Sequence, residues 1–467
     1  MTTNRAASAS QLPLTLDDDV EAAERRLGVL DDPSAPVAEP LPAVDRIPTI
    51  DIPAEWKDVQ RLWGHSLHPM CSYLASFPAA LAHAFVERYS RRGDVVIDPF
   101  SGRGTAPLQA CAEGRTGVGN DLNPFAWLLT AAKVEPATRA ETATRLTTLR
   151  LAWAASSRGR TERTAATEVP PEVRIAFHPA TLAQLLFLRS ELRLDDRTDR
   201  FLAAAVTGIL HGKSASYLSP LMPNTFSMAP RYVRDFAART AFEAPDRDVF
   251  AGLERKLVRL HRDPLPSSRG IALLGDARDI GERASVALRE RGLPDRARLV
   301  VASPPYLRVV KYGYYNWLRT WFLGYDAHEI DATLDDAHRR EPYLVFMREV
   351  LASLRSMLAA DAVVVLVIGD VETDRGRPLV GAAGFRLAER VWETAAEPEG
   401  YRLAGIASDE IAANRKMTRL WGSEAGRATK TDRILVLGAT EAGRRRAVSA
   451  ARLPVGWDWP PTRLRPV

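Results

Sequence analysis

The stretch that decides the fold is Asp98-Pro99-Phe100-Ser101-Gly102-Arg103-Gly104-Thr105. The short apolar run before it, 94–97, is typical of a buried parallel strand. The residues after it, 106–112, favour a helix, and Pro107 suits a first helical turn because its missing N–H needs no partner there. The two glycines between them lack Cβ atoms, so the backbone can approach a ligand closely. The sequence therefore predicts a strand, a glycine-rich turn and a helix whose free N–H groups face the turn.

Polar residues also follow the next two predicted strands. The second strand, 116–120, ends at Asp121, where a carboxylate can accept hydrogen bonds from ribose hydroxyls. Asn123 then opens another helix, and the third strand, 271–275, is followed by Asp276. Together with the turn, these positions make up the candidate nucleoside-binding residues: Asp98, Pro99, Phe100, Gly102, Gly104, Thr105, Asp121, Asn123, Asp276 and Ala277.

A lone Gly-x-Gly is also compatible with an ordinary tight turn or with a nucleotide site of another class. The spacing to Asp121 allows a NAD-binding unit, but the third glycine of the dinucleotide fingerprint is missing because position 107 is Pro. Asp98 opens the turn with an acid, which suits a cationic ligand that carries an amino acid better than a pyrophosphate. The sequence also has no Gly-x-x-x-x-Gly-Lys-Ser/Thr phosphate loop, which argues against an ATPase.

A second motif, Ser303-Pro304-Pro305-Tyr306, follows the apolar run 298–302. It is expected at the carboxyl end of a strand, where open parallel sheets place their ligands. The two prolines remove two N–H donors, which leaves carbonyls free to accept hydrogen bonds from an amino group, and Ser303 supplies another acceptor. Tyr306 supplies a flat face on which an extruded base can stack. By itself the tetrapeptide would indicate a rigid surface turn, but its place after a strand and downstream of the glycine turn favours a catalytic role.

With the two motifs in this order, the chain resembles the S-adenosylmethionine (SAM)-dependent amino-methyltransferases that modify DNA. The resemblance covers residues 63–134 and 271–310. A His-Pro-containing stretch at 64–69, followed by 77–78, resembles the region that closes over the methionine end of SAM in that family. The turn departs from the usual Cys-Gly-Ser-Gly form, and Arg103 between its glycines is expected to face solvent or a substrate phosphate.

The resemblance implies a class I methyltransferase fold: an α/β, Rossmann-like, seven-stranded, mostly parallel sheet with helices on it and a helical insertion. It implies SAM as the cofactor, with Asp276 at the adenine amino group, and Ser303, Pro304, Pro305 and Tyr306 as the catalytic residues. The implied reaction is methyl transfer to an exocyclic amine of a base flipped out of double-stranded DNA. The Ser-Pro-Pro-Tyr form is commoner in N4-cytosine enzymes, so cytosine N4 is expected first and adenine N6 second.

Composition suits a polyanionic partner and a reducing compartment. The 467 residues are enough for two or three domains, and the net charge is +5. Residues 1–57 hold 11 acidic and 5 basic residues, a net of −6, so the remainder carries +11; a solvated surface is the alternative reading of that charge. No run of about 18 apolar residues and no signal segment occur, so no membrane contact is expected. With only two cysteines, a cytoplasmic location in a bacterium is expected.

The chain is expected to divide into five segments. They are an acidic, disordered N-terminal segment with one short helix near 20–30 (1–50), a first, SAM-binding part of the catalytic domain (51–135), a helical insertion (136–265), a second catalytic part with further strands at 362–368 and 431–437 (266–440), and a basic C-terminal tail (441–467). The insertion lies between the two motifs, as do the target-recognition regions of the DNA enzymes that the chain resembles.

Candidate DNA contacts lie in the insertion and beside the second motif. The insertion holds 20 basic and 14 acidic residues, and its centre mixes small polar, basic and aromatic side chains, which suits contact with phosphates and bases. Lys213 and Arg231 are the candidates there, although an irregular packing loop is an alternative. Lys311 and Tyr312 are the candidates beside the base pocket, where packing on the sheet is the alternative. The basic cluster 444–446 is expected to track phosphates or to lie solvated.

Other chemistries fit the sequence less well. The spacing of His65, His68 and Cys71 is similar to that of metal ligands, but no second cluster completes a tetrahedral site, so no metal is expected. Cytosine C5 methylation needs a nucleophilic cysteine that the catalytic motif lacks. An RNA amino-methyltransferase and a non-catalytic SAM- or DNA-binding subunit of a defence complex stay open. Any restriction or defence partner would be a separate protein, because no nuclease is joined to the chain.

Overall fold

The computed structural model describes residues 47–60, 62–74, 76–156, 169–305, 311–334, 340–369, 373–374, 377–378, 386–410 and 431–459. Its strands are β1 (Val95–Asp98), β2 (Thr116–Asp121), β3 (Ile271–Leu274), β4 (Ala297–Ala302), β5 (Leu358–Gly369), β6 (Thr373–Asp374), β7 (Arg377–Pro378), β8 (Arg402–Glu410) and β9 (Thr431–Gly438). Its helices are α1 (Ala79–Tyr89), α2 (Thr105–Ala112), α3 (Pro124–Val134), α4 (Arg139–Ala155), α5 (Pro171–Ala176), α6 (Pro179–Glu191), α7 (Arg197–Thr207), α8 (Pro230–Thr240), α9 (Val249–Leu260), α10 (Ile280–Glu290), α11 (Trp317–Leu323), α12 (Ala327–Thr333), α13 (Arg340–Arg355), α14 (Leu387–Val391) and α15 (Glu441–Ala450).

Seven strands form one sheet in the order β3-β2-β1-β4-β5-β9-β8. The first five are parallel to one another, and β9 runs antiparallel to both β5 and β8. The strand order reverses between β1 and β4, which is where open α/β sheets hold their ligands. The predicted α/β class, a mostly parallel seven-stranded sheet of the class I methyltransferase type, is confirmed.

Strand β8 is the member of the sheet that the sequence does not locate. Its residues, Arg-Leu-Ala-Gly-Ile-Ala-Ser-Asp-Glu, lack the run of β-branched residues that marks the central strands. Residues 47–50, expected within the disordered segment, pair with this edge: the Ile406 amide donates to Pro48 O over 3.0 Å, and the Ile50 amide donates to Ile406 O over 3.3 Å. Burial of Ile50 accounts for this order. The expected helix near 20–30 lies outside the described residues.

Two glycines in β2 let helix α2 lie close against the sheet. A Cβ built on Gly117 would come within 2.1 Å of Pro107 O, and one on Gly119 would come within 2.6 Å of the Thr130 methyl group. In the dinucleotide fingerprint a third glycine on the helix serves this close packing. Here the strand supplies the glycines instead, so that Pro107 can occupy the helical position.

The described residues between β2 and β3 form helices α3 to α9 and the loops that connect them. Their core includes Phe177, Phe187, Phe201 and Phe250, and it continues into the side chains of helix α11. The insertion is therefore packed on the residues that follow the Ser-Pro-Pro-Tyr motif. Across the described ranges, no helix combines the length and the apolar character that a bilayer span requires.

Residues 441–459 pack on the body of the protein. Helix α15, placed by the sequence at the start of a basic tail, lies against β5 and β9, and Arg446 donates to the carbonyls of Tyr89 (2.8 Å) and Asp361 (3.0 Å). Beyond the helix, Trp63 donates to Trp457 O over 2.9 Å and its ring lies 5.4 Å from that of Trp459. Apolar contact and backbone acceptors thus draw this segment onto the domain.

Candidate active site

The two motifs of the sequence lie at the same edge of the sheet. Ile97 pairs with Val300, so Asp98 at the end of β1 and Ser303 after β4 follow adjoining strands at their carboxyl ends. Ser303 and Pro305 are half-buried and Pro304 is buried. Tyr306 lies outside the described residues. The candidate site is therefore the crevice above the β1–β4 reversal.

The glycine turn has the backbone conformation that its sequence requires. Gly102 has φ +49° and Gly104 has φ +74°, a left-handed region that other residues rarely adopt. A Cβ on Gly104 would meet the Thr130 Cα at 2.9 Å, whereas one on Gly102 would find its nearest atom, in the Tyr73 ring, at 3.6 Å. Thr105, buried, starts helix α2 directly after the turn. Gly104 thus permits close packing, while Gly102 lies in ordinary contact distance of Tyr73 and needs its glycine for the backbone conformation.

Asp121 fixes this turn from the end of β2. Its Oδ2 accepts from the Gly102 amide over 2.8 Å, and its Oδ1 accepts from the Asn123 amide over 2.9 Å. Burial raises the pKa of Asp121 to about 6, although these backbone donors oppose the shift. Each oxygen keeps a lone pair for a further donor.

Asp98 is a buried carboxyl with unused acceptor capacity. Its Oδ1 accepts from the Phe100 amide over 3.0 Å, while its Oδ2 accepts no hydrogen bond from the described part of the chain. Only 2% of the residue is exposed. Burial raises the pKa of Asp98 well above its usual range, and the nearby Asp121 adds to that effect. A cationic group that met Asp98 would therefore relieve an unfavourable buried charge.

Asn120 is a structural member of the site that the sequence analysis missed. Its Nδ2 donates to Pro99 O over 3.2 Å and to Gly275 O over 2.9 Å, while its Oδ1 accepts from Arg283 over 3.0 Å. This buried amide joins the loops that follow β1 and β3. The sequence signal that could have indicated this role is a polar residue inside a strand predicted to be buried.

The carboxylate of Asp276 forms hydrogen bonds with Arg278, two residues further along the chain. Its carboxylate caps the turn Ala277–Asp279 and accepts from Arg278, from the backbone amide at 2.8 Å and from the guanidinium at 2.7 and 3.0 Å. Arg278 in turn lies 5.8 Å from the ring of Phe346, which lies 5.8 Å from that of Phe100. An adenine amino group would therefore have to share Asp276 with Arg278.

An aromatic pair covers the glycine turn. Tyr73 and Tyr312 stack with ring centroids 5.9 Å apart and an interplanar angle of 17°. Asn123, which caps helix α3 through the Phe125 amide, donates to the Tyr73 hydroxyl over 3.5 Å. Burial raises the pKa of Tyr73, and the nearby Asp121 carboxylate adds to it. Tyr73 was not singled out from the sequence, although it lies inside the His-Pro-containing region.

Hydrogen bonds connect the His-Pro stretch, directly and through Lys133, to the glycine turn and helix α2. His65 donates to Pro264 O over 2.8 Å, and His68 Nε2 lies 2.8 Å from the Gln109 side chain. The ammonium of Lys133, fully buried, donates to Arg103 O over 2.6 Å and to His68 O over 3.4 Å. Arg103 itself folds back onto Thr105 (3.2 Å) instead of facing solvent as expected, because buried carbonyl and hydroxyl oxygens lie within its reach.

The four candidate substrate contacts occupy different surroundings. Lys213 is exposed on the insertion loop, and Arg231 is exposed on helix α8 with Asp235 at 3.7 Å. Lys311 is half-buried beside the site, and Tyr312 belongs to the aromatic pair. Of the four, Tyr312 is the one that the described contacts bring to the glycine turn, through its stack on Tyr73. Within the described ranges, no group of three metal-ligating side chains is assembled.

The donor set fits SAM. The buried, partly unsatisfied carboxyl of Asp98 suits the cationic amino group of a methionine moiety, and Asp121 offers acceptors for ribose hydroxyls. The family and fold implied by the sequence require the same cofactor.

Comparison with known proteins agrees with this assignment over the cofactor half of the site. A family model described as DNA methylase matches residues 47–131. The Type II methyltransferase M.MjaII of Methanocaldococcus jannaschii is 35% identical over 71 residues, which are 15% of this chain and 13% of that protein. The Type II methyltransferase M.MthZI of Methanothermobacter thermautotrophicus is 41% identical over 49 residues, 10% of this chain and 14% of that protein. The chain thus spans about one seventh of the length of these relatives.

Two solved structures match this chain at low similarity. TrmN of Thermus thermophilus is 13% identical with a TM-score of 0.28, over 78% of this chain and 50% of that one. The rRNA methyltransferase AviRa of Streptomyces viridochromogenes is 13% identical with a TM-score of 0.31, over 82% and 94%. The fold assignment rests on strand order, since both TM-scores are low. Residues 47–131, which hold the glycine turn and Asp121, are thus similar to DNA methylases, and SAM is the cofactor that this similarity and the fold imply.

Proposed function

We propose that this protein transfers a methyl group from SAM to an exocyclic amine of a base in double-stranded DNA, with cytosine N4 as the first target and adenine N6 as the second. The observation that carries the proposal is the placement of Asp98 with its glycine turn and of Ser303-Pro304-Pro305 at the adjoining ends of β1 and β4. A methyl donor and an amine held at these two positions would meet in the same crevice. The preference for cytosine rests on the Ser-Pro-Pro-Tyr form of the motif.

SAM supplies a methyl carbon bonded to a positively charged sulfur. In the proposed reaction the amine lone pair forms the new N–C bond, the electrons of the C–S bond stay on sulfur, and one amine proton leaves to solvent. Asp98 would hold the amino group of the cofactor and Asp121 its ribose, which fixes the direction of attack. The carbonyls next to Pro304 and Pro305 and the hydroxyl of Ser303 would accept the amine hydrogens and so free the lone pair.

The insertion is the proposed DNA-binding region. It carries a net positive charge, and its loop between helices α7 and α8 presents exposed Lys213 and Asn224. A flipped base would lie beside the aromatic pair of Tyr73 and Tyr312, next to Ser303–Tyr306. Flipping costs a few kcal/mol of unstacking, which aromatic side chains at the pocket offset in part.

Replacement of Tyr306 tests the catalytic half of this proposal. Tyr306→Ala should lower the turnover of DNA by about 10- to 100-fold, because base stacking on an aromatic ring contributes about 1–3 kcal/mol. SAM affinity, measured by calorimetry, should stay within about twofold of the unmodified protein, since the cofactor residues are untouched. Tyr325→Ala, at a partly exposed tyrosine beyond helix α11, is the matched control. Normal methylation by the Tyr306 variant would remove Ser303–Tyr306 from the proposed site.

A further inference from the structure

Arg319 is a fully buried cation that joins two segments distant in sequence. Only 1% of the residue is exposed, and none of the described carboxylates lies within ion-pair distance of it. Its guanidinium lies 5.8 Å from the ring of Phe125. A buried charge without a carboxylate is costly unless several oxygens surround it, so its hydrogen bonds identify what it organises.

On one side Arg319 holds the loop of the insertion. It donates to Asn224 O over 2.7 Å and to Thr225 O over 3.4 Å. The side chain of Asn224 is exposed, and its Nδ2 donates to Ser72 Oγ over 3.4 Å, one residue before Tyr73. The backbone of this loop is therefore fixed while its side chains can meet a partner.

On the other side Arg319 holds the segment that follows the Ser-Pro-Pro-Tyr motif. It donates to Asn316 Oδ1 over 2.8 Å, and Asn316 Nδ2 donates to Tyr312 O over 2.8 Å. Tyr312 stacks on Tyr73 above the glycine turn. One guanidinium thus connects the insertion loop to the aromatic cover of the site.

Neighbouring contacts bind the same two segments. The Ser227 amide donates to Tyr315 O over 2.6 Å, and Trp317 Nε1 donates to Met228 O over 2.6 Å. His211 donates through Nδ1 to Pro223 O over 2.7 Å and lies 3.2 Å from Ser227 Oγ. The loop 222–228 and the segment 312–317 therefore form one packed unit with Arg319 in its interior.

We infer that Arg319 is a positioning residue that fixes the loop 222–228 and the segment 312–317 to one another and so sets how DNA on the insertion is presented to Ser303–Tyr306. The inference rests on the proposed function for its DNA readout. Arg319 touches neither the cofactor residues nor the catalytic tetrapeptide in the described contacts. Its loss should therefore lower DNA use far more than SAM binding, which it reaches only through Tyr312.

Arg319→Lys tests this role with the charge retained, because one ammonium cannot reach the oxygens that the planar guanidinium serves. We expect kcat/KM for DNA to fall by about 10- to 100-fold, as for a misplacement of about 1 Å. SAM affinity should fall by less than about threefold, because the rings of Tyr73 and Tyr312 are both retained. Amide hydrogen exchange should become faster in 222–228 and in 312–317 together.

Arg88→Lys is the matched control. Arg88 is also buried and also has one nitrogen without a partner, but it donates to Leu453 O over 3.1 Å and pairs with Glu55 at 3.0 Å, far along the chain from the loop. This variant should lose thermal stability while it keeps its kcat/KM for DNA. An equal loss of DNA turnover in both variants would make the effect merely structural and overturn the inference.

The exchange measurement separates this inference from the proposed function. If the unmodified protein methylates no DNA, the proposed function fails, and joint loosening of both segments in Arg319→Lys still supports the positioning role of Arg319 between them. If amide hydrogen exchange in either segment of Arg319→Lys is as slow as in the unmodified protein, that role is overturned, whether or not DNA is the substrate.

Discussion

The carboxylate of Asp121 accepts a hydrogen bond from the Gly102 amide over 2.8 Å, across the end of the sheet from β2 to the turn after β1. The same carboxylate accepts from the Asn123 amide, so one side chain sets both the glycine turn and the start of helix α3. The residue proposed to bind the ribose therefore also shapes the backbone on which the cofactor would lie.

Acidification should weaken SAM binding through this carboxylate. The pKa of Asp121 is raised to about 6 by burial, so the group takes up a proton as pH falls through that value. Ribose hydroxyls donate to the ionised form, and SAM affinity measured by calorimetry should therefore decline below about pH 6. Asp121→Asn should bind SAM about tenfold more weakly at pH 7.5, equivalent to about 1.4 kcal/mol, and should show a flatter pH profile.

The stability of the ligand-free protein should have the opposite pH dependence at Asp121. Because its folded-state pKa is raised, the ionised group costs stability above about pH 6, and that cost is relieved as pH falls from 6 toward the unfolded value near 4. Asp121→Asn should remove this contribution in a denaturant titration series. An identical pH dependence of stability in the two proteins would mean that Asp121 is not the group responsible.

Asp98→Asn separates cofactor binding from folding. The asparagine side chain keeps the shape of the aspartate and an oxygen that can accept from the Phe100 backbone amide. It also removes a buried carboxyl group whose pKa is raised by burial. We expect unfolding stability to be unchanged or higher, while SAM affinity falls by at least about tenfold because the cationic amino group loses its counter-charge. Calorimetry on both proteins decides the matter, and equal SAM affinity would exclude Asp98 as a ligand.

The two glycines of the turn should respond differently to alanine. Gly104→Ala would place a Cβ 2.9 Å from the Thr130 Cα in a left-handed conformation, so overpacking of about 1–3 kcal/mol adds to a backbone cost of about 1–2 kcal/mol. Gly102→Ala has space around its Cβ and should lose only the backbone term. Its larger effect should fall on SAM affinity. Thermal melts that rank Gly102→Ala as the more damaging change would contradict this account of the turn.

Tyr73→Ala tests the aromatic cover. Tyr73 lies over Gly102 and stacks on Tyr312, so its removal opens the turn to water and frees Tyr312. We expect SAM affinity to fall by about three- to tenfold, close to the 0.5–1.5 kcal/mol of an aromatic pair. Tyr73→Phe keeps the stack and should bind SAM nearly as well. If the Ala variant binds like the Phe variant, the stack does not contribute to the cofactor site.

The elements that could be predicted from the sequence are those that a local residue pattern marks. The strands before Asp98, Asp276 and Ser303 are apolar runs followed by polar residues, so their order along the chain could be predicted. The elements and site residues that could not be predicted depend on contacts with distant parts of the chain. Strand β8 lacks a local strand signature, and Tyr73 joins the site only because Tyr312 stacks on it from another part of the chain.

The hydrogen bonds of Arg278 with Asp276 and of Arg103 with Thr105 were missed for another reason, since each joins residues only two positions apart. Each is a choice of hydrogen-bond partner that is made after the chain has folded. Arg319 is the clearest example of a distant partner, because the carbonyl of Asn224, which it contacts, lies 95 residues earlier in the chain.

The most direct measurement is mass spectrometry of nucleosides from unmethylated double-stranded DNA and from RNA, each incubated with the purified protein and isotope-labelled SAM. The account predicts labelled N4-methylcytosine in the DNA sample, and labelled N6-methyladenine would keep the site with the second base. Label found only in RNA, or in neither nucleic acid, would contradict the proposal that this protein is a DNA amino-methyltransferase.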